Sequence, residues 1–199
     1  MQASKRLAAG ISVGLLLSLA AMDGTAQIYS VLHDFYRPSG GSDGIWPIGG
    51  LTVSGDTLYG TTHGGGSKGF GTVFKLNTDG RNYLALRPFT SNQGPVDIPV
   101  LASGEVLYGA ADHLVYKLNT DGNGFTVLKV FDDGTRPSPL VLSGTNLYGT
   151  TYTGGASNLG TIYRISTDGT DYTVLKDFTG SDGANPLGGL VLSDNVLYG

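Results

Sequence analysis

The chain has no cysteine, one tryptophan, two methionines and three histidines in 199 residues, and charged side chains make up only 14% of it. Without cysteine there is no disulfide staple and no lipid-accepting thiol of a bacterial lipoprotein. No apolar run long enough to cross a bilayer as a helix occurs after Met22, and no stretch after residue 26 has a helical period. No basic patch is present, and the net charge is −4, so nucleic acid is not an expected partner.

What the chain does have is repetition. Leu-Tyr-Gly occurs at 58–60, 107–109, 147–149 and 197–199, with the glycines 49, 40 and 50 residues apart. The short interval has a local cause. Thr61 to Gly71 and Thr150 to Gly160 form glycine-rich stretches, whereas only Ala110 to Leu114 stand between Gly109 and Val115. A loop has been lost from the second unit while its flanks stayed, which is how exposed loops behave.

Each unit reads as four short segments: a phenylalanine segment (Val31–Phe35, Leu86–Phe89, Val127–Phe131, Val174–Phe178), an apolar run (Gly50–Val53, Pro99–Leu101, Pro139–Leu142, Gly189–Leu192), Leu-Tyr-Gly, and Val73–Leu76 with its matches Val115–Leu118 and Ile162–Ile165. Val, Leu, Thr, Tyr and Phe bounded by Gly, Pro, Asn, Asp and Ser are the pattern of strands between tight turns. Thr-Asp-Gly at 78–80, 120–122 and 167–169 suits hairpins between the third and fourth strands, because Asp-Gly accepts positive φ. Four strands per 40 to 50 residues predict an all-β tandem array, a β-propeller or part of one, with a β-solenoid as the alternative. Glycine, at 33 residues, is more than double the average of roughly 7%.

At the amino terminus Lys5 and Arg6 precede an apolar run from Leu7 to Met22 and the small-residue stretch Asp23-Gly24-Thr25-Ala26. This is the plan of a secretory signal peptide, with cleavage expected after Ala26, and it is preferred to an uncleaved anchor. Its removal takes away two of 12 basic and one of 16 acidic residues, leaving 10 and 15 and a net charge of −5.

The chemistry-bearing residues are sparse. His33 aligns with Arg87, Lys129 and Lys176 and is expected to face outward; His63 aligns with Tyr152; His113 lies at the shortened loop. Three unrelated repeat positions have no ligand spacing, so no metal site is expected. Ser42-Asp43-Gly44, Asp132-Asp133-Gly134 and Ser181-Asp182-Gly183 offer too few oxygens for calcium and read as Asx turns. Gly64-Gly65-Gly66 lacks the Gly-Lys-Ser/Thr of a phosphate loop, and no Gly-x-Ser-x-Gly elbow occurs. Tyr59, Tyr108, Tyr148 and Tyr198 could form an aromatic ring for sugars, but one strand position in every copy favours packing.

Leu-Tyr-Gly-Thr-Thr, the Gly-Gly loop, Gly-Thr-Val-Phe-Lys-Leu-Asn-Thr-Asp-Gly, Val-Leu-Lys-Asp-Phe and Gly-Ser-Asp-Gly together resemble the GloVer tandem repeat of bacterial exported proteins. The likeness runs over nearly all of residues 28–199 and implies export and surface display, with no catalytic residues to carry over. The second unit departs from the pattern by losing its loop.

The expectation is therefore a signal peptide over 1–26 and a repeat domain of about three and a half units over 27–199. Gly199 falls inside a motif, so the chain is expected to be truncated at its carboxyl end. Its function is expected to be that of an exported, non-enzymatic, surface-displayed structural or interaction module, with a protein or carbohydrate ligand bound through loops, no cofactor, and Trp46, His63 and Tyr152 as binding residues. Association through exposed edge strands is also expected. The alternative is a fragment of an extracellular carbohydrate-active propeller enzyme; the adjacent acids Asp132 and Asp133 are the one hint of it, and their spacing does not suit a glycosidase pair.

Overall fold

A computed structural model describes residues 29–35, 42–91, 93, 98–132 and 134–199. The expected signal peptide over 1–26 and Asp133 lie outside the described residues.

Every regular element among the described residues is a strand. The first sheet joins β1 (Thr52–Ser54), β2 (Thr57–Thr62), β3 (Thr72–Asn77) and β4 (Leu84–Pro88). The second joins β5 (Leu101–Ser103), β6 (Val106–Ala111), β7 (Leu114–Asn119) and β8 (Thr126–Val130). The third joins β9 (Val141–Ser143), β10 (Asn146–Thr151), β11 (Thr161–Ser166) and β12 (Tyr172–Asp177), and a hairpin of β13 (Val191–Ser193) and β14 (Val196–Tyr198) follows. Strands pair in sequence order and antiparallel, so each sheet is a meander of the propeller-blade type. Side-by-side hairpins, rather than the coils of a solenoid, hold each unit. The short first strands approach one another, β1 to β5 and β9 to β13.

Two sequence expectations shift. The apolar runs enter the sheets about two residues later than read, so Val100, Leu140 and Leu190 precede their strands yet are buried. Val31–Phe35 is not a strand; it lies against the first blade, where Leu32 and Phe35 join the cluster of Leu58, Phe74 and Leu76.

Leu-Tyr-Gly has a steric reason. Gly60, Gly109 and Gly149 sit directly across from Phe74, Tyr116 and Tyr163 on the neighbouring strand. Each aromatic ring folds over its glycine. A Cβ on Gly149 would lie 2.7 Å from the Tyr163 hydroxyl oxygen, inside any allowed contact, so only glycine admits the ring.

That ring is the centre of a three-aromatic cluster between blades. Phe89, leaving the first blade, lies 5.3 Å from Tyr116 and 6.0 Å from Phe125 of the second. Phe131 stands 5.3 Å from Tyr163 and 5.9 Å from Tyr172 of the third. Phe35 meets Phe74 at 5.1 Å and Tyr83 at 5.8 Å in the same pattern. Edge and tilted contacts at these distances suit aromatic quadrupoles.

A bulge recurs between the third and fourth strand of every blade, leaving Leu86, Leu128 and Leu175 outside the ladder. The next blade's Thr-Asp-Gly turn closes on that leucine's backbone: a Cβ on Gly122, which has φ 90°, would lie 2.7 Å from the Leu86 carbonyl oxygen. Lys75 Nζ then donates across the seam to the Thr120 carbonyl at 2.9 Å, and Lys117 Nζ to that of Thr167 at 3.0 Å.

Candidate binding face

The meander sends its β2–β3-type loops and the segments between blades to one end. In the first and third blades these loops span 63–71 and 152–160, nine residues each, and in the second blade only Asp112-His113. The long loops share a neck. Thr62 Oγ1 and Thr72 Oγ1 lie 3.1 Å apart and Thr151 Oγ1 and Thr161 Oγ1 2.8 Å apart, with the Thr72 and Thr161 amides donating to Thr62 Oγ1 and Thr151 Oγ1. The second blade holds Ala111 and Leu114 at these places, both buried, and closes with a tight turn at Asp112, φ 40°.

Trp46 and His63 come together at this end. The His63 amide donates to the Trp46 carbonyl at 3.0 Å, and the rings stand 5.9 Å apart. Trp46 is 51% exposed and has φ 57°, a left-handed conformation that costs an ordinary residue roughly 1–2 kcal/mol. Asn185, which like Trp46 precedes a proline in a Gly-Ser-Asp-Gly unit, has φ 52° and suits it. Tyr152 belongs to the third blade and is not paired with them. Its amide donates to the Arg136 carbonyl at 2.8 Å, and its carbonyl accepts from Asn185 Nδ2 at 2.9 Å. It lines a cavity of about 270 Å³ with Arg136, Pro137, Ser138, Pro186 and Leu187. Arg136 and Leu187 were not singled out in the sequence; the position before the repeated proline was the available signal.

The other residues weighed for chemistry have structural places. His33 does not face outward: its ring stacks on Tyr83 at 3.8 Å and 3°, and burial pushes its pKa down against the pull of Asp43 and Asp34. The aligned Arg87 and Lys129 lie likewise over Phe125 and Tyr172. The turns hold their acids internally. Asp121 accepts the Asn123 amide and Asp168 that of Thr170, while the Asp182 carboxylate accepts the Thr179 amide and pairs with Lys176. His113 Nδ1 meets Asp112 Oδ2 at 2.8 Å. Among the described residues, no group of three or more His, Asp or Glu is arranged to hold a metal ion, and no helix is long and apolar enough to cross a membrane. Of the repeated tyrosines, Tyr59 and Tyr108 are buried between blades, Tyr148 is half-buried and Tyr198 is exposed.

Among solved structures, a chain of the nidogen/laminin complex is 19% identical with a TM-score of 0.45, covering 61% of this chain and 44% of its own. The designed protein Ika8 is also 19% identical, with a TM-score of 0.47, covering 74% and 40%. The chain thus spans less than half the length of either. No curated protein matches it. The family model of the Gloeobacter/Verrucomicrobia repeat matches residues 112–199, which hold β7 and β8 of the second blade, the third blade and the β13–β14 hairpin. Residues 112–199 are therefore similar to the Gloeobacter/Verrucomicrobia repeat, consistent with the repeat read from the motifs.

Proposed function

We propose that the chain is an exported, non-enzymatic interaction module that binds a protein or carbohydrate through the loop end carrying Trp46, His63 and Tyr152. The observation that carries this reading is Trp46, an exposed indole held in a left-handed backbone conformation that its counterpart Asn185 suits far better. Strain of that kind is retained where a side chain's position matters for something other than stability. A contrast between units supports it. The residues that recur, Leu-Tyr-Gly, the phenylalanines and Thr-Asp-Gly, serve packing between sheets. Those that vary, Trp46 against Arg136 and Asn185, and His63 against Tyr152, meet solvent at one end. Large amphipathic side chains on loops fixed by a rigid scaffold are the usual makers of binding surfaces. The leader over 1–26 supports export.

The binding reading is tested by probing a glycan array and an array of extracellular-matrix and cell-surface proteins with the purified chain and with Trp46→Ala. A ligand retained by the native chain and lost by the variant, with unchanged thermal unfolding, is the expected result. A chain that binds nothing on either array, or binds equally well without the indole, overturns it. Export is tested separately by fusing residues 1–26 to alkaline phosphatase, whose activity should appear outside the cytoplasm.

A further inference from the structure

The Thr-Asp-Gly turn of the second blade is clasped by the first, through Gly122 against Leu86 and Lys75 Nζ on the Thr120 carbonyl. The same turn carries the single Asn-Gly step of the chain, Asn123-Gly124, and both residues are exposed. Gly124 has φ 66°, and a Cβ on it would lie 2.9 Å from Asn119 Nδ2, so the position calls for glycine. An asparagine can be attacked at Cγ by the main-chain nitrogen of the residue that follows it. A side chain on that residue hinders the approach, and a hydrogen bond from its amide holds the nitrogen away. Neighbouring steps in these turns have the second protection. The Thr78 and Thr120 amides, which follow Asn77 and Asn119, donate to the Asp56 and Glu105 carbonyls at 2.9 Å. The Gly80, Gly122 and Gly169 amides, which follow the turn aspartates, donate to the Asn77, Asn119 and Ser166 carbonyls. The Gly124 amide donates to no acceptor among the described residues.

We propose that Asn123 is a site of spontaneous covalent modification, converted to aspartate and isoaspartate by ring closure onto the Gly124 nitrogen, and that the product loosens the seam between the first two blades. The Gly124 amide gives up its proton and its nitrogen bonds to Asn123 Cγ; the Cγ–Nδ2 bond breaks, and Nδ2 takes up a proton and leaves as ammonia. Water then opens the cyclic imide at either carbonyl, so the step needs no oxidant and no metal. Opening at the main-chain carbonyl gives isoaspartate and routes the backbone through Cγ. The Asn123 carbonyl oxygen, which accepts the Asn119 amide at 2.8 Å and closes the turn, then belongs to a carboxylate on a branch. The donation from Asn123 Nδ2 to Asp121 Oδ2 at 3.1 Å is lost, and two negative charges face each other in its place. The turn that Leu86 and Lys75 grip is thereby lengthened and loosened.

Ageing of the full chain tests this. The chain is kept for weeks in neutral and in mildly alkaline buffer, both folded and unfolded in guanidinium, and sampled by peptide mapping with enzymatic methylation of isoaspartate. The folded chain should yield aspartate and isoaspartate at position 123, faster in the alkaline buffer, while Asn77 and Asn119 stay intact. Asn123→Gln, whose side chain would have to close a larger ring, should remain unmodified. Thermal unfolding supplies the second readout: the aged native chain should unfold at a lower temperature than the fresh one, and aged Asn123→Gln should keep its fresh value. An Asn123 that converts in the unfolded chain yet stays intact in the folded one, or conversion that reaches Asn77 and Asn119 equally, would overturn the proposal. So would an aged chain that is modified at 123 and unfolds as the fresh chain does.

Discussion

The guanidinium of Arg87 lies over the ring of Phe125, 3.6 Å from its centroid, and the two residues belong to different blades. Lys129 over Tyr172 at 4.5 Å and His33 on Tyr83 at 3.8 Å repeat the relationship. Partly desolvated cation–π pairs are worth roughly 0.5–2 kcal/mol. A double-mutant cycle of Arg87→Met and Phe125→Leu, read by urea unfolding, should give a coupling energy within that range. Additive losses would show that the stack is only a contact.

Gly109→Ala should destabilise by about 1–3 kcal/mol, because the added methyl meets the Tyr116 ring in a packed sheet. Combining it with Tyr116→Leu should cost less than the sum of the two single changes, since the smaller side chain vacates the space. Chemical denaturation of the three variants decides it.

The hydroxyls of Tyr116 and Tyr163 are buried with no hydrogen-bond partner, and burial pushes both phenols above their ordinary pKa. Phe74 fills the same place in the first blade without a hydroxyl. An unsatisfied buried polar group costs about 1–3 kcal/mol, so Tyr116→Phe should leave stability unchanged or raise it within that range. A lower melting temperature would show that the hydroxyl has a partner in solution.

Asp182 is held down to about 2 by Lys176 first and then by the Thr179 amide. Its folded pKa lies below its ordinary value of 3.8, so its contribution to stability is present above that value and is lost as pH falls toward 2. Carboxyl chemical shifts followed by NMR should place its midpoint near the lower figure. Lys176→Met should move the midpoint upward.

Trp46→Asn should relax the left-handed strain and raise stability by about 0.5–1 kcal/mol while abolishing ligand binding. Opposite changes in thermal unfolding and in array binding are the measurement. A loss of stability would mean that the indole serves packing.

Much of the architecture is written locally. The Thr-Asp-Gly hairpins and the missing loop between Ala111 and Leu114 follow from turn chemistry and alignment of units, and these are short-range properties. What lies between blades is not local. The reason for glycine after Leu-Tyr depends on Tyr116 arriving across the ladder, and the bulge at Leu128 matters only once Gly169 closes on it. His33 read as an outward base because its row holds Arg87 and Lys129; the aromatic partners come from the following unit, about 40 to 50 residues on. On the binding face, exposure near turns picked out Trp46, His63 and Tyr152, but the pairing of the first two, and the cavity that Tyr152 shares with Arg136, required the fold.

The threonine necks at 62/72 and 151/161 separate what the sheet requires from what the loops carry. The second blade replaces the neck with Ala111 and Leu114, discards the loop, and keeps both strands in register. The nine-residue segments are therefore additions that the strand pairing does not require, each returning to its blade through a glycine, Gly71 or Gly160, whose carbonyl accepts from the Phe89 or Phe178 amide. Units of this kind can gain or lose the segment at that end while the pairing of the two strands stands unchanged.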